Sequence, residues 1–509
     1  MSTAIGLIRQ ANGQSNPPAE TLDATLQDFL DAAADMGAKR VEDYGLYERF
    51  YLGDRGVELT DRLREFLEQH GVLFCENFCE PMVDMVAERL TVTGFDASID
   101  GETGTDLSRE VSSYLADRFW TPNRMDEVQA TVHTQALAKG DAFGIVGWDD
   151  KAARPTFSFN PPERVKVVYA DDDPTMPRYA VKVWMTDQVG PSNPGGRKIE
   201  RMNVYYPDRI EPWFKLHRSH GRGGWQHWVD EPAEGGTAPW PRPWTDAAGA
   251  PLGIPVVHFR NRARGRTDGR SELAGGVISQ QLLLDKQIVD LAAVGDTQGW
   301  PQRWISGATD SGGALTTNPG DVWKHPSENA KFGQFDAAPL EPMIAAIEST
   351  VSRMARRSGM PLHLLTGGDA PSGESIRASE ARLVKRVRDR QTSYGNGWED
   401  AATMAVRLAA KMGALQVDPA ALSLSTIWDD PESRNELEEA QTAEAYQRLG
   451  VSKHTLLLRL GFDPEDEMDR RRAEQEEAMS GALVELLNGN ADRTEPDGPP
   501  MPMRDGGAG

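Results

Sequence analysis

The chain reads as an α+β protein, mainly helical, on three observations. Apolar residues recur at helical spacing through the first 90 residues. Six short runs rich in β-branched and aromatic residues follow between turn signals, from residue 142 to residue 216. Two long helical patterns then bracket a stretch punctuated by Gly and Pro. With 509 residues the chain can bury a sizeable core and is expected to fold as more than one compact region.

Residues 1–20 are polar and Pro-containing and are expected to form a mobile arm. From Leu22 to Gly71 the pattern is helical, with Leu22, Leu26, Phe29 and Leu30 on one stripe and Leu63, Phe66 and Leu67 on another. A further helix is expected from about Phe78 to Leu90, turning Met82, Val83, Val86 and Leu90 toward a core. After a helix carrying His133 and Leu137, the runs Ala142–Trp148, Thr156–Phe159, Val165–Tyr169, Tyr179–Trp184, Arg201–Tyr206 and Glu211–Leu216 predict a mixed or antiparallel sheet. Asp171, Asp172 and Asp173 lack the glycine and terminal glutamate of a calcium loop and read as a solvated turn. His217, His220 and His227 sit in a Gly/Arg-rich stretch that reads as an exposed loop rather than a metal site.

A helix is expected from about Ser271 to Gln298, with Ile278, Leu282, Val289 and Ala292 on one face and Asp285, Lys286 and Asp290 interrupting others. At about 1.5 Å per residue it reaches roughly 40 Å, the length of a strut. Gly307, Gly312, Gly313, Pro319 and Gly320 then punctuate short strand-like runs between Trp300 and Phe335. Leu340, Ile344, Ile347, Val351 and Met354 predict a second long helix. The pair reads as two antiparallel struts capped by a small module.

The segment after Gly359 holds the densest positive charge, a Gly/Pro-rich loop feeding a helical run with Arg377, Arg382, Lys385, Arg386, Arg388 and Arg390. Gly368, Gly373 and Ser375 stand in the register of a phosphate-cradling loop, but Glu374 occupies the lysine position and would repel phosphate. The loop therefore reads as flexible, with Ser372 or Ser375 capping the helix. Two accounts of the basic helix compete. It faces DNA, or it pairs with acidic faces of a neighbouring subunit and with its own Glu374, Glu380 and Asp389. The second is preferred because many persistent phosphate contacts would hold a duplex fast.

Composition narrows the function classes. Against 55 Lys and Arg stand 78 Asp and Glu, a formal net charge of −23, which opposes tight nucleic-acid or anionic-membrane binding. Cys75 and Cys79, read as one face of a helix, make a poor zinc or disulfide pair and are expected as buried thiols. The N-terminal apolar run is short for a secretory signal and no run is long enough to span a bilayer, so a soluble, cytoplasm-made protein is expected. The sequence contains no zinc-protease, nucleophile-elbow or complete nucleotide-loop motif, which argues for a non-enzyme without cofactor or metal. Beyond the basic helix, Trp428–Pro431 is read as opening a run of helices, Arg434–Leu449 and then Lys453–Leu460. The charged run Glu465–Glu477 reads as an exposed helix and Asn488–Gly509 as a disordered tail.

Several blocks, in order and spacing, resemble the bacteriophage portal proteins of the SPP1 type found in tailed phages of actinobacteria. They are Tyr51–Gly53, Asn77–Phe95 (NFCEPMVDMVAERLTVTGF), Trp120 with Asn123 and His133, Gly253–Asn261 (GIPVVHFRN), Gly269–Leu273 (GRSEL), Pro301–Ile305 with Gly307, and the loop and helix from Gly359 to Asp400. The resemblance covers roughly residues 40–480. It implies a wing at 21–270, stem helices at 271–299 and 340–358, a clip at 300–339, a tunnel loop at 359–374, a long wing helix at 375–412, crown helices at 413–487 and a tail at 488–509. Twelve copies would close a ring around an axial channel at one capsid vertex, assembled in the host cytoplasm. The implied DNA-facing residues are Pro361, Leu362, His363, Leu364, Leu365, Gly367, Gly368, Pro371 and Gly373, and the implied clip packing anchors are Trp304 and Trp323. Implied partners are further copies of the chain, the terminase large subunit, a head-tail adaptor, the major capsid and scaffolding proteins, and double-stranded DNA that passes without tight binding. Another head-tail adaptor or virion structural protein would share the acidity but lack the stem-clip-stem order, and an enzyme of unknown chemistry would require a pocket.

Overall fold

The computed structural model describes residues 38–54, 76–190, 192–216, 225–230, 239–298, 303–307, 328–335, 339–363, 373–432 and 444–450, with residues 456, 467 and 470–472. The chain divides into two compact units, Met1–Pro431 and Glu432–Gly509. In the second unit residues 444–448 are helical, with an Arg448–Glu444 ion pair of 2.6 Å one turn apart. The expected helix at Lys453–Leu460 and the two stripes around Leu22 and Leu63 fall outside the described residues, apart from helical Leu456.

Helix α1 (Ala38–Tyr51) ends at Gly53, whose φ of +70° is left-handed, so the helical pattern read from Leu22 to Gly71 is broken there. Helix α2 (Cys79–Ala87) buries Cys79, Met82, Val83 and Val86, and Leu90 follows them into the core as its spacing predicts. Residues 76–78 are not helical, because the Asn77 carboxamide accepts from the Cys79 amide and starts the helix there. Cys75 lies outside the described residues, so its expected place on one helix face with Cys79 is not described. The Cys79 thiol is buried, 3.9 Å from Gln281 Oε1.

Strand β1 (Val92–Ile99) and the short β2 (Glu102–Thr103) come next, then α3 (Asp106–Tyr114), capped by the Thr105 side chain. The chain winds on through a π turn at Leu115–Trp120 and a 3-10 turn at Thr121–Asn123 into α4 (Met125–Lys139). All six expected strands form, and they divide between two antiparallel sheets. Strands β3 (Asp141–Asp149) and β4 (Arg154–Asn160) join β11 (Val256–Arg260) in the order β11-β3-β4. Strands β5 (Val165–Tyr169), β6 (Pro177–Thr186), β7 (Ile199–Tyr205), β8 (Arg209–Leu216), β9 (Gln226–His227) and β10 (Arg242–Pro243) run in the order β10-β8-β7-β6-β5, with β9 on β8. Asp173 accepts from the Thr175 amide and hydroxyl, making the turn the sequence indicates. His227 stacks on Trp240 at 3.5 Å, while His217 and His220 lie outside the described residues.

The remaining elements are α5 (Val277–Gln298), the hairpin β12 (Arg303–Ser306) and β13 (Lys331–Gln334), α6 (Glu341–Ser358), α7 (Gly373–Lys411) and β14 (Leu422–Trp428). Residues 422–428 correct the expectation of helices from residue 413 onward. They form a strand that pairs antiparallel with β1, from Val92 opposite Trp428 to Ile99 opposite Leu422. The cause is visible in LSLSTIW, a two-residue alternation rich in β formers, after α7 has stopped at Gly413 with φ +72°.

The main core wraps the second half of α7, where Tyr394, Trp398, Ala401, Ala402, Ala405, Val406 and Ala409 are buried. At its centre the Trp398 indole donates to His133 Nε2 at 2.9 Å, and His133 Nδ1 lies 3.0 Å from the Leu90 carbonyl. An indole only donates, so Nε2 accepts and the ring proton sits on Nδ1. Complete burial pushes His133 down to about 3. Tyr394 stacks on the same imidazole at 5.4 Å. Gly397 has no room for a side chain, since a Cβ would come within 2.8 Å of the Phe259 ring, which explains a helix-interior glycine that costs about 1 kcal/mol against alanine.

Candidate functional site

The two struts are anchored at one end and emerge at the other. Helix α5 packs on α6, and Thr350 donates to Gln287 across them at 2.9 Å. On α6, Thr350, Val351, Met354 and Ala355 are buried, whereas nothing from Glu341 to Ser349 is. On α5, Gln281, Leu284, Asp285 and Val289 are buried, and no residue from Asp290 to Gly295 is. Gln281 is the anchor, accepting from the Phe78 amide at 3.0 Å and donating to the Glu76 carbonyl at 2.7 Å and Asp285 at 2.8 Å.

Two expectations about α5 are corrected. It starts at Val277 rather than Ser271, because Gly275 and Gly276 have φ of +78° and +99° and cannot continue a right-handed helix. Its inward face runs through Gln281, Leu284, Asp285 and Ile288, leaving Leu282 37% exposed. Of the expected stripe Val289 is buried and Ile278 packs on the core, but the polar Gln281 and Asp285 that share the inward face carry no apolar periodicity to mark them.

Beyond the struts, β12 and β13 pair antiparallel with Trp304 opposite Gly333, and the indole lies where a Gly333 side chain would be. Trp304 is thus seated on its own hairpin yet 39% exposed, with Phe332 45% and Phe335 59% exposed beside it. Trp323 lies outside the described residues. Leu340 and Ile344 at the start of α6 are exposed too. By the register of the hairpin Trp304 and Phe335 share one face and Phe332, opposite Ile305, lies on the other, so exposed apolar side chains stand on both faces.

After α6 ends at Gly359, with φ +73°, Met360 and Pro361 are buried, Leu362 is exposed and His363 is half-buried. Leu364, Leu365, Gly367, Gly368 and Pro371 fall outside the described residues, and Gly373 opens α7. That start places Ser375 inside the first turn, not at the cap, and Ser372 lies outside the described residues.

The basic helix is fastened within its own chain by a residue that no sequence pattern singles out. Glu272, buried in the turn before α5, receives Arg386 Nη2 at 2.6 Å, Arg262 Nη1 at 3.1 Å, Arg390 Nη2, and the Asn261 carboxamide at 3.2 Å. Burial alone would raise the Glu272 carboxyl, but Arg386, Arg390 and Arg262 outweigh it and hold it at about 2. Arg386 also donates to the Ser358 carbonyl and Arg382 to the Arg356 carbonyl, satisfying acceptors in the last turn of α6. Lys385 pairs with Asp389 at 3.3 Å, as expected, Arg388 reaches Asp430 at 4.0 Å, and Glu380 lies 3.8 Å from Arg89. The Arg377 side chain is outside the described residues. The signal for Glu272 is the GRSEL block itself, but a lone glutamate in a turn carries no periodicity to mark it.

The other matching blocks sit at structural joints. Asn123 donates to the Phe119 and Pro155 carbonyls at 2.7 and 3.0 Å and accepts from the Phe157 amide at 3.3 Å, tying the 3-10 turn to β4. A cleft of about 480 Å³ lies between the turn 246–253 and the end of α7, but its acids Asp246 and Asp418 hold their own turns and Arg407 holds the Leu252 carbonyl. Among the described residues no cluster of His, Cys, Asp and Glu could hold a metal ion, and no helix is long and apolar enough to cross a membrane.

The described residues thus build a mixed α+β body with a packed helix pair, α5 and α6, on either side of a hairpin in the chain. The family described as phage portal protein, SPP1 Gp6-like, matches residues 71–481, and the chain belongs to that family. It is 26% identical over 441 residues to the portal protein of Mycobacterium phage D29, covering 82% of each chain. It is 24% identical over 513 residues to the portal protein of Mycobacterium phage L5, covering 95% of this chain and 93% of that one. Membership carries the general role of a portal protein, a passage for DNA at a capsid vertex.

Proposed function

We propose that the chain closes into a homo-oligomeric ring of about twelve copies, a closed heterologous assembly, through which double-stranded DNA is packaged and later ejected. The observation that carries this reading is the strut pair, anchored in the core at one end and ending in a hairpin whose Trp304, Phe332 and Phe335 stay exposed. A lone chain gains nothing from holding such side chains in water, whereas neighbouring copies bury them.

In this reading α5 and α6 are the stem, the hairpin is the clip that meets the terminase large subunit or a head-tail adaptor, and residues 359–374 form the tunnel loop. The wing and crown regions meet the capsid and scaffolding proteins. The net charge of −23 per chain keeps the moving duplex from adhering. Energy for movement comes from a separate packaging ATPase. Electron microscopy with native mass spectrometry tests the ring: closed assemblies with a central hole are expected, and a stable monomer at micromolar concentration overturns the reading. Deleting Gly367–Gly373 tests the loop, since DNA packaging and retention should fail while rings persist.

A further inference from the structure

Where α6 ends and α7 begins, the described residues gather more positive charge than they neutralise. Arg262, Arg386 and Arg390 already share the single carboxylate of Glu272. Beside them Arg270, Arg356, Arg357 and Arg382 are exposed, and none of the four has a carboxylate within ion-pair distance among the described residues. The guanidiniums of Arg270 and Arg357 converge. Arg270 and Arg357 both close on the point where a Gly275 Cβ would sit, at 2.5 and 3.5 Å, and Arg357 lies over Gly276 as well. Arg382 Nε stands 2.9 Å from the equivalent point on Gly359 and its Nη1 reaches the Arg356 carbonyl at 3.3 Å.

The dipole of α6 accounts for Arg356 and Arg357, which stand in its last turn. It does not account for Arg270, which arrives from the turn before α5, or for Arg382, which arrives from α7. Guanidiniums held this close repel one another unless an anion lies among them. Two planar forks aimed at one point suit an anion with more than two acceptor oxygens, which favours phosphate over a carboxylate.

We infer that Arg270 and Arg357, with Arg382 beside them, form a contact site for the phosphodiester backbone of double-stranded DNA. The inference rests on the conduit reading and refines it. The body of the ring repels DNA, and one localised cluster per copy touches it. A few contacts per copy, each exchangeable with counterions, leave the duplex able to slide while resisting its escape.

The test uses the full chain and a short fluorescent duplex, with affinity measured between about 50 and 200 mM salt. Arg357→Gln with Arg382→Gln should weaken binding at least tenfold at the low-salt end and flatten the slope of log K against log salt by about 1 to 2. A control with Lys151→Gln and Lys198→Gln, which removes the same charge elsewhere, should leave the slope unchanged. The charge-preserving pair Arg357→Lys with Arg382→Lys should keep most of the slope and so separate lost charge from lost folding. Unchanged duplex binding by the Gln pair overturns the inference. So does dissociation of the rings, with or without weaker binding, because the arginines would then serve carboxylates of a neighbouring copy. If the parent chain forms no rings yet its duplex binding depends on these arginines, the site stands and the conduit reading falls.

Discussion

The two halves of α7 hold the same helix to the same body by different physics. From Glu380 to Arg390 charged side chains fasten it to Glu272 and the last turn of α6, beside a narrow buried stripe of Leu383, Val384 and Val387. From Tyr394 to Ala409 they are rings and alanines, closed around His133. The aromatic half sets whether the unit folds, because transfer out of water and close packing scale with buried area. The charged half sets where the struts point, because hydrogen bonds to one buried carboxylate fix direction more than they add stability.

The widest test of that contrast is Trp398→Ala, which should cost about 3–5 kcal/mol and leave His133 Nε2 without its donor. Urea unfolding monitored by circular dichroism checks it, and a loss below about 1 kcal/mol would break the comparison. Glu272→Gln comes next. It leaves three guanidiniums around a neutral amide and should cost about 3 kcal/mol, with protease cleavage rising at the α6–α7 junction before the unit melts. If melting falls with no new cleavage, the charged half is part of the core and not a fastening.

Acid separates the halves without mutation. His133 sits well below the ordinary imidazole value of 6.5, so its folded form binds the proton more weakly than the unfolded chain does. Its contribution is complete above 6.5 and is lost as pH falls toward about 3, amounting to about 2 kcal/mol by pH 5. His258, also lowered by burial, acts in the same direction. Glu272 contributes fully above 4.5 and loses its contribution only as pH falls from there toward about 2. Asp400, raised to about 6 by burial, gains stability as pH falls through the same window and opposes this, so unfolding midpoints should decline between pH 6.5 and 5 in Asp400→Asn, with or without Glu272→Gln, and a flat profile there would remove the imidazole from its keystone role. The smallest effect on stability is expected at the hairpin. Trp304→Ser with Phe332→Ser should change the unfolding free energy of the isolated chain by less than about 0.5 kcal/mol while shifting native mass spectra toward smaller assemblies.

The same contrast explains what can be read in advance. Helix α2, the six strands and the two struts are legible because apolar periodicity of 3.6 or 2 marks them directly. Strand β14 escapes such a reading because it follows a long helix and finds its partner more than 300 residues away, a pairing that local pattern does not reveal. The start of α5 is hidden in Gly275 and Gly276, which read equally as small residues in a helix or as left-handed turn positions. In the basic helix the charges are plain and their partner is not. Glu272 lies 114 positions from Arg386, and only the folded chain brings them together.

The pairing of β1 with β14 also sets an order of events in synthesis. β1 emerges early with only the two residues of β2 beside it, and its long partner is made after roughly 320 further residues. At translation rates of about 5–20 residues per second it waits roughly 15–65 seconds with one edge open. A chain truncated before residue 422 keeps that edge open permanently, an unpaired strand of the kind that seeds aggregation. Synthesis of residues 422–428 thus decides when that edge closes.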